Sequence, residues 1–467
     1  MLVWIVQDIE LNVFHPLVTY LCRRPLPRWC LSVCLAILLC GCRSATPDRA
    51  LKLKPEPALD YIAEGFDRYP VVALSELHGN RESAAFLAML IRHDGFSRRV
   101  NDIVIEFGNA AYQPVVDRYI SGAPVGRDEL RGVWENTTQI SGIWLLPMYE
   151  RILADIRMVN ATLPANRRYR VLLGDPPINW SKVTSPADDD MNDWRDAHFA
   201  WVLEHYVFAR NRRALLFIGG AHISRKVLFP NSVIHLLDAR FPGKTLVVSA
   251  LDAGKVQPAV AAAMSAWPIP SVVQVRGTWV GRSDVRTIGF TLAHGLIQDD
   301  VDALLALSTA PLVWDPAPHV DESANRELHR RRRLAQATLP FRGGLIRFEA
   351  NTTQLTASSS APLQQVLSEL LRDRDRAVLV KAFADTRERD PLRLSTERAA
   401  SVAEWLVTRG ISRERVESRG CGAKRPLWAD DTADHEAANR RVEIVTKTPT
   451  ADCEPPRSFD GFGEAAR

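Results

Sequence analysis

The chain is 467 residues long, 46% hydrophobic and 24% charged, with a formal net charge of +4. That length exceeds one ordinary core and implies two or three domains, and the composition is that of a globular chain without extended disorder. A charge balance so close to neutral gives no basis for a nucleic-acid or anionic-surface partner, and no nucleic acid is expected.

Cysteine usage is uneven. Five of the seven lie at or before Cys42, leaving Cys421 and Cys453 in the body of the chain. In an exported domain those two could close one disulfide, or Cys453 could sit unpaired in a polar tail. Arg23, Arg24 and Arg28 precede an apolar run from Trp29 to Leu39. The run is short for a membrane span and suited to a signal-peptide core, the alternative being an uncleaved N-terminal membrane helix. Either way the body is exported. The run closes on Leu39-Cys40-Gly41-Cys42, which resembles a bacterial lipobox. The resemblance implies a signal peptide over residues 1–42, lipidation of Cys42, and a place on the periplasmic face of the cell outer membrane. Residues 43–66, with Pro47, Pro55 and Pro57, read as a tether leading into a first helix.

From 67 to 315 short apolar runs alternate with longer helical stretches, which predicts α/β with a largely parallel sheet and helices on both faces. The runs are Val71–Leu74, Ile103–Ile105, Tyr169–Leu173, Ala214–Ile218 and Thr245–Ser249. Polar residues follow the first four: Glu76 and His78, then Glu106, then Gly174-Asp175, then Gly219-Gly220-Ala221-His222. The carboxyl ends of parallel strands line one crevice, so these side chains are expected to converge. Two histidines with two or three carboxylates can act as a general base with its orienting acids. They can also hold a divalent metal with open positions. Gly219 and Gly220 would admit close backbone approach, and Arg81 or Arg225 could neutralise developing negative charge. The chain shows no Gly-x-Ser-x-Gly elbow and no Walker loop, so a nucleophilic serine is unsupported, although Ser75 lies close by. Asp175 is equally compatible with turn chemistry, and Trp134, Trp144 and Trp180 with core or pocket walls.

The segment from Ala73 to Glu82, with Glu76-Leu77-His78, resembles the first motif of the erythromycin esterase and ChaN-like superfamily. Ile105-Glu106 with Tyr112–Gly122 is similar to a second motif of ChaN-like haem-binding lipoproteins. Ile218-Gly219-Gly220-Ala221-His222 is similar to the last motif of both, and Val301–Leu305 to the closing strand. The resemblance implies Glu76, His78, Glu106 and His222 as the catalytic or ligand-binding cluster. It leaves the reaction open among ester hydrolysis, haem or iron binding, and metal-dependent proteolysis.

Residues 316–342 read as a linker, with Arg330 to Arg333 a solvated face of a linker helix. Over 343–448 a smaller α+β domain is expected. Val378 to Asp385 alternates and ends in an acid, a helix follows with Leu394, Val402 and Leu406 on one side and Gly410 past its end, and Asn439 to Ile444 closes as a strand. Asp385 at the strand end and Arg398 one turn into the helix would meet at one rim. There they would suit a ligand with both an ammonium and a carboxylate. These motifs resemble the OmpA-like peptidoglycan-binding domain, which implies that Asp385 and Arg398 hold the diaminopimelate of the peptide stem. The tail, 449–467, is expected to be mobile.

Three functions fit these residues. One is a wall-anchored outer-membrane lipoprotein carrying a hydrolase for an ester or amide of an unidentified small molecule. Another is a haem- or iron-binding lipoprotein without turnover. The last is a structural bridge from membrane to wall.

Overall fold

The computed structural model describes residues 52–139, 143–184, 194–225, 232–290, 295–316, 345–428 and 432–447, with the pairs 326–327, 330–331, 333–334 and 453–454. The expected signal peptide and Cys42, nearly all of the tether's first part, and most of the linker and tail lie outside these residues.

The larger domain is built on an eight-stranded sheet in the order β1-β7-β8-β6-β2-β5-β3-β4. Its strands are β1 (Pro55–Pro57), β2 (Val71–Glu76), β3 (Asp102–Asn109), β4 (Arg170–Asp175), β5 (Ala214–Gly219), β6 (Thr245–Leu251), β7 (Ser271–Gln274) and β8 (Ala303–Ala306). Pairing is parallel from β8 through β6, β2, β5 and β3 to β4, and antiparallel where β7 meets β8 and β1 meets β7. Successive side chains of a strand point to opposite faces, so β2 sends Val72 and Leu74 into one apolar layer and Val71 and Ala73 into the other. Helices Arg81–Arg92 and Pro147–Thr162 supply the first layer through residues such as Phe86, Leu90, Ile152 and Ile156. Helices Arg195–Tyr206 and Val233–Arg240 supply the second through Phe199, Leu203, Ile234 and Leu237. Every residue of β2, β3, β5 and β6 is buried, which explains why these strands read as continuous apolar runs.

The smaller domain has a four-stranded sheet ordered β11-β10-β12-β9, from β9 (Ile346–Arg347), β10 (Val378–Ala382), β11 (Val416–Gly420) and β12 (Arg441–Thr446). Helices Ser360–Arg372 and Pro391–Val407 cover one face, where Val366, Leu370, Val402 and Leu406 pack on Val380 and Ile444. The chain is therefore α/β followed by a smaller α+β domain.

Several expectations are corrected. Residues 55–57, assigned to the tether, form edge strand β1 on β7. Two prolines do not prevent this, because an edge strand tolerates missing donors. Glu106 does not end its strand, since β3 continues to Asn109 through an irregularity between Ile105 and Asn109. Arg398 lies two turns into its helix, which opens at Pro391. Arg330 and Arg331 are not a solvated face. Arg330 donates to the Trp180 and Val183 carbonyls, and Arg331 lies over the Trp180 ring and donates to the Glu135 carbonyl. Cys421 and Cys453 are joined in a disulfide, which fixes residue 453 to the domain at a point where the tail was expected to be mobile.

Candidate functional site

At the carboxyl edge of the sheet, the neighbouring strands β2, β5, β3 and β4 bring Glu76, Gly219, Glu106 and Asp175 together. Glu76 is the last residue of β2, and the chain then turns through His78 and Gly79 into the helix capped by Asn80, whose side chain accepts from Ser83 N at 2.8 Å. Two residues apart around that turn, Glu76 and His78 form a dyad. His78 Nδ1 bonds Glu76 Oε2, and Glu76 Oε1 accepts from the Tyr149 hydroxyl at 2.9 Å. Gly79 N in turn donates to the Tyr149 oxygen at 3.1 Å, and the Trp144 ring stands edge-on to His78 at 4.8 Å. The His78 side chain is 33% exposed while Glu76 and Glu106 are buried, so the imidazole is the part of the dyad that solvent reaches.

Glu106 is the hub. Its Oε2 accepts from Gly219 N at 2.6 Å and lies 3.9 Å from His78 Nε2. Its Oε1 accepts from Arg195 Nη2 at 2.8 Å and lies 3.4 Å from His222 Nε2. His222, in the turn that follows β5, bonds Asp196 Oδ1 through Nδ1 at 2.5 Å, so it forms a second carboxylate–histidine dyad. Arg195 Nε donates to Asp175 Oδ1 at 2.9 Å, and Asp175 also accepts from Thr138 N and Thr138 Oγ1, both at 2.7 Å. Gly219 is required by close approach, because a Cβ there would lie 2.8 Å from His78 Cε1 and 2.9 Å from His78 Nε2.

The electrostatics follow from this packing. Burial would raise the Glu106 pKa, but Arg195 foremost, and His222 after it, hold the carboxyl well below its usual range. Burial opposes charge on His222, yet Asp196 and Glu106 push it up to about 10, which makes it an imidazolium at neutral pH. His222 Nε2 lies 3.4 Å from Glu106 Oε1 and 3.3 Å from Arg195 Nη1. Burial also opposes charge on His78, but the Glu76 hydrogen bond and the Glu76 and Glu106 charges raise it above 6.5. Burial raises Asp175 despite Arg195 and Thr138, and burial with Glu76 raises the Tyr149 phenol.

All four expected residues, Glu76, His78, Glu106 and His222, come together. Arg81 and Arg225 do not join them. Arg81 pairs with Asp315, and Arg225 with Asp238 and Asp302. Ser75 Oγ accepts from Ala250 N at 2.6 Å and serves the sheet. The guanidinium that reaches the cluster is that of Arg195, with Asp196 beside it, and neither residue was anticipated. The signal available was positional: the helix after β4 must start at the same edge of the sheet, so Arg195-Asp196 at its opening faces the crevice. A separate cavity of about 640 Å³, lined by Tyr112, Asn136, Trp180, Arg330 and Arg331, contains none of the clustered residues.

Glu76, His78 and Glu106 offer one donor atom each within 4.8 Å of one another, a set that fits a divalent cation with open positions. His78 Nδ1 is taken by Glu76, and Nε2 lies 3.9 Å from Glu106 Oε2.

In the smaller domain Asp385 and Arg398 lie in one buried network, but each is tied to another residue. Arg398 makes a bidentate pair with Glu388, and Asp385 Oδ2 accepts from Arg440 Nη1 at 2.8 Å. The open rim expected for them is closed.

Residues 347–440 match the OmpA family, and this part of the chain is an OmpA-like domain. The chain is similar to the probable lipoprotein YiaD of Escherichia coli (strain K12), with 34% identity over 102 residues, 21% of this chain and 47% of that protein. It is also similar to the peptidoglycan-binding protein ArfA of Mycobacterium bovis (strain ATCC BAA-935 / AF2122/97), with 31% identity over 114 residues, 24% of this chain and 35% of that protein. Among solved structures, the peptidoglycan-associated lipoprotein from Burkholderia pseudomallei aligns at 24% identity and a TM-score of 0.21, over 22% of this chain and 88% of that one. The chain thus spans less than half the length of these two curated relatives.

Proposed function

We propose that this chain is a cell-envelope lipoprotein that binds peptidoglycan through its OmpA-like domain and carries a hydrolase site for an ester or amide bond in its α/β domain. The wall-binding part is carried by the OmpA match over residues 347–440, beside a relative named for peptidoglycan binding. In this reading Arg398 grips the carboxylate of the diaminopimelate and Asp385 takes its ammonium. Lipidation of Cys42 would fix the other end on the periplasmic face of the outer membrane, and the chain would also bridge membrane and wall.

The hydrolase part is supported by two carboxylate–histidine dyads converging on Glu106. Glu76 orients His78, whose exposed imidazole takes the proton of an attacking water. Arg195, with the His222 imidazolium beside it, supplies positive charge toward the oxygen on which charge develops. A second reading is favoured by the donor set of Glu76, His78 and Glu106, in which a divalent cation would supply the Lewis acid that activates the water.

The test is elemental analysis of the purified full chain with an ester and amide panel, repeated on His78→Gln. Turnover lost in the variant without metal in the wild type supports the metal-independent reading. Stoichiometric metal lost in the variant supports the second. A wild type inert on every substrate, with or without added divalent ions, contradicts the hydrolase.

A further inference from the structure

We propose that Glu388 is a built-in occupant of the wall-peptide site: its carboxylate holds Arg398 where a ligand carboxylate would bind, and residues 386–389 must move away before peptidoglycan enters. This rests on the reading that Asp385 and Arg398 take the peptide stem. Glu388 Oε1 and Oε2 lie 2.6 Å from Arg398 Nη2 and Nη1, the fork-to-fork arrangement that a ligand carboxylate would use. Two further guanidinium donors face the chain, with Nε on the Thr352 carbonyl at 2.8 Å and Nη2 on the Glu349 carbonyl at 3.0 Å. Arg398 is fully buried, so no carboxylate reaches it while Glu388 stays. Asp385 is filled in the complementary way. Arg440 Nη1 stands at Oδ2 where an ammonium would, and Arg387 N donates to Oδ1 at 2.8 Å.

The connection between β10 and the helix Pro391–Val407 is held shut by a small reciprocal latch. Asn351 N donates to Glu388 Oε1 at 2.7 Å, and Arg389 N donates to Asn351 Oδ1 at 2.9 Å. Asn351 (φ 57°) and Asp390 (φ 50°) are both left-handed without being glycine, conformations that persist where surrounding contacts impose them. An incoming carboxylate would replace Glu388 like for like, so the buried guanidinium never loses its counter-charge. The closed form lowers apparent affinity by the fraction of molecules it holds.

The test compares the full-length wild type with Glu388→Gln, using a diaminopimelate-containing tripeptide and purified sacculi. The variant keeps the shape and loses the charge, and it should bind the tripeptide at least about fivefold more tightly. In the wild type, saturating tripeptide should raise hydrogen exchange at the Asn351 and Arg389 amides, because their acceptors are Glu388 and the latch residue Asn351. A folded Glu388→Gln that binds no more tightly, or tripeptide bound with both amides unchanged, overturns the proposal. If the variant does not fold, the exchange measurement decides alone. Failure of the underlying reading looks different: neither protein retains sacculi or tripeptide, and both ideas fall together.

Discussion

Arg195 Nη2 lies 2.8 Å from Glu106 Oε1, and the same guanidinium reaches Asp175 Oδ1 at 2.9 Å through Nε, so one buried cation neutralises the ends of two neighbouring strands. Without it, Asp175 would keep only its Thr138 donors and Glu106 only His222 and Gly219 N. Arg195→Met should therefore cost roughly 3–5 kcal/mol of stability, the usual penalty for leaving buried charge unpaired. Denaturant unfolding measures this directly, and a loss below about 1 kcal/mol would show that the pair does not hold the strand ends together.

Gly219→Ala tests whether His78 must sit where it does. The backbone at Gly219 has φ −56° and ψ 143°, which any residue adopts, so the added methyl acts through space alone. It should push His78 away from Glu106 and, if the proposed hydrolase reading holds, lower turnover about a hundredfold, with only about 1–3 kcal/mol of overpacking. Histidine NMR signals would show the displacement of the ring independently of activity.

The placement of these residues shows what could be read in advance. The buried strands β2, β3, β5 and β6 were legible because parallel strands covered on both faces are largely apolar, and Glu76, His78, Glu106 and His222 were legible as polar residues following the apolar runs, although β3 continues past Glu106. Arg195 was not, because it is 89 residues from Glu106 and 20 from Asp175, and only the strand order joins them. Strand β1 was hidden because Pro55-Glu56-Pro57 reads as an extended tether until β7 supplies a partner. The Glu388–Arg398 pair was hidden because Arg398 reads as free to grip a ligand and Glu388 as an exposed charge in a polar connection.

His198 gives a pH dependence. It is buried in the second apolar layer, where Nδ1 donates to the Gly174 carbonyl at 2.8 Å, and burial lowers its pKa from 6.5 to about 4. The folded form holds it neutral, so its contribution is fully present above pH 6.5 and is lost as pH falls toward 4. The loss amounts to about 3 kcal/mol, at about 1.4 kcal/mol for each tenfold drop in proton affinity on folding. His198→Asn, which keeps a donor for Gly174, should unfold with a shallower dependence between those pH values. Parallel curves for the two proteins would remove His198 as the cause.

The disulfide between Cys421 and Cys453 spans 32 residues and packs against Phe383, next to Ala384 and Asp385. Its removal in Cys421→Ser with Cys453→Ser should cost about 3–4 kcal/mol by the chain-entropy relation. Thermal unfolding with and without reductant checks this. A wild type that melts identically in both would show that the bridge contributes nothing.

The most direct test of the account is retention of the full chain on purified sacculi, with Asp385→Asn and Arg398→Lys compared at matched folding by circular dichroism. Lysine keeps the charge of Arg398 but loses its two-pronged grip. Wall binding through these residues predicts that the wild type sediments with sacculi and that both variants stay largely in solution. A wild type that stays in solution, or folded variants that sediment as it does, would contradict it.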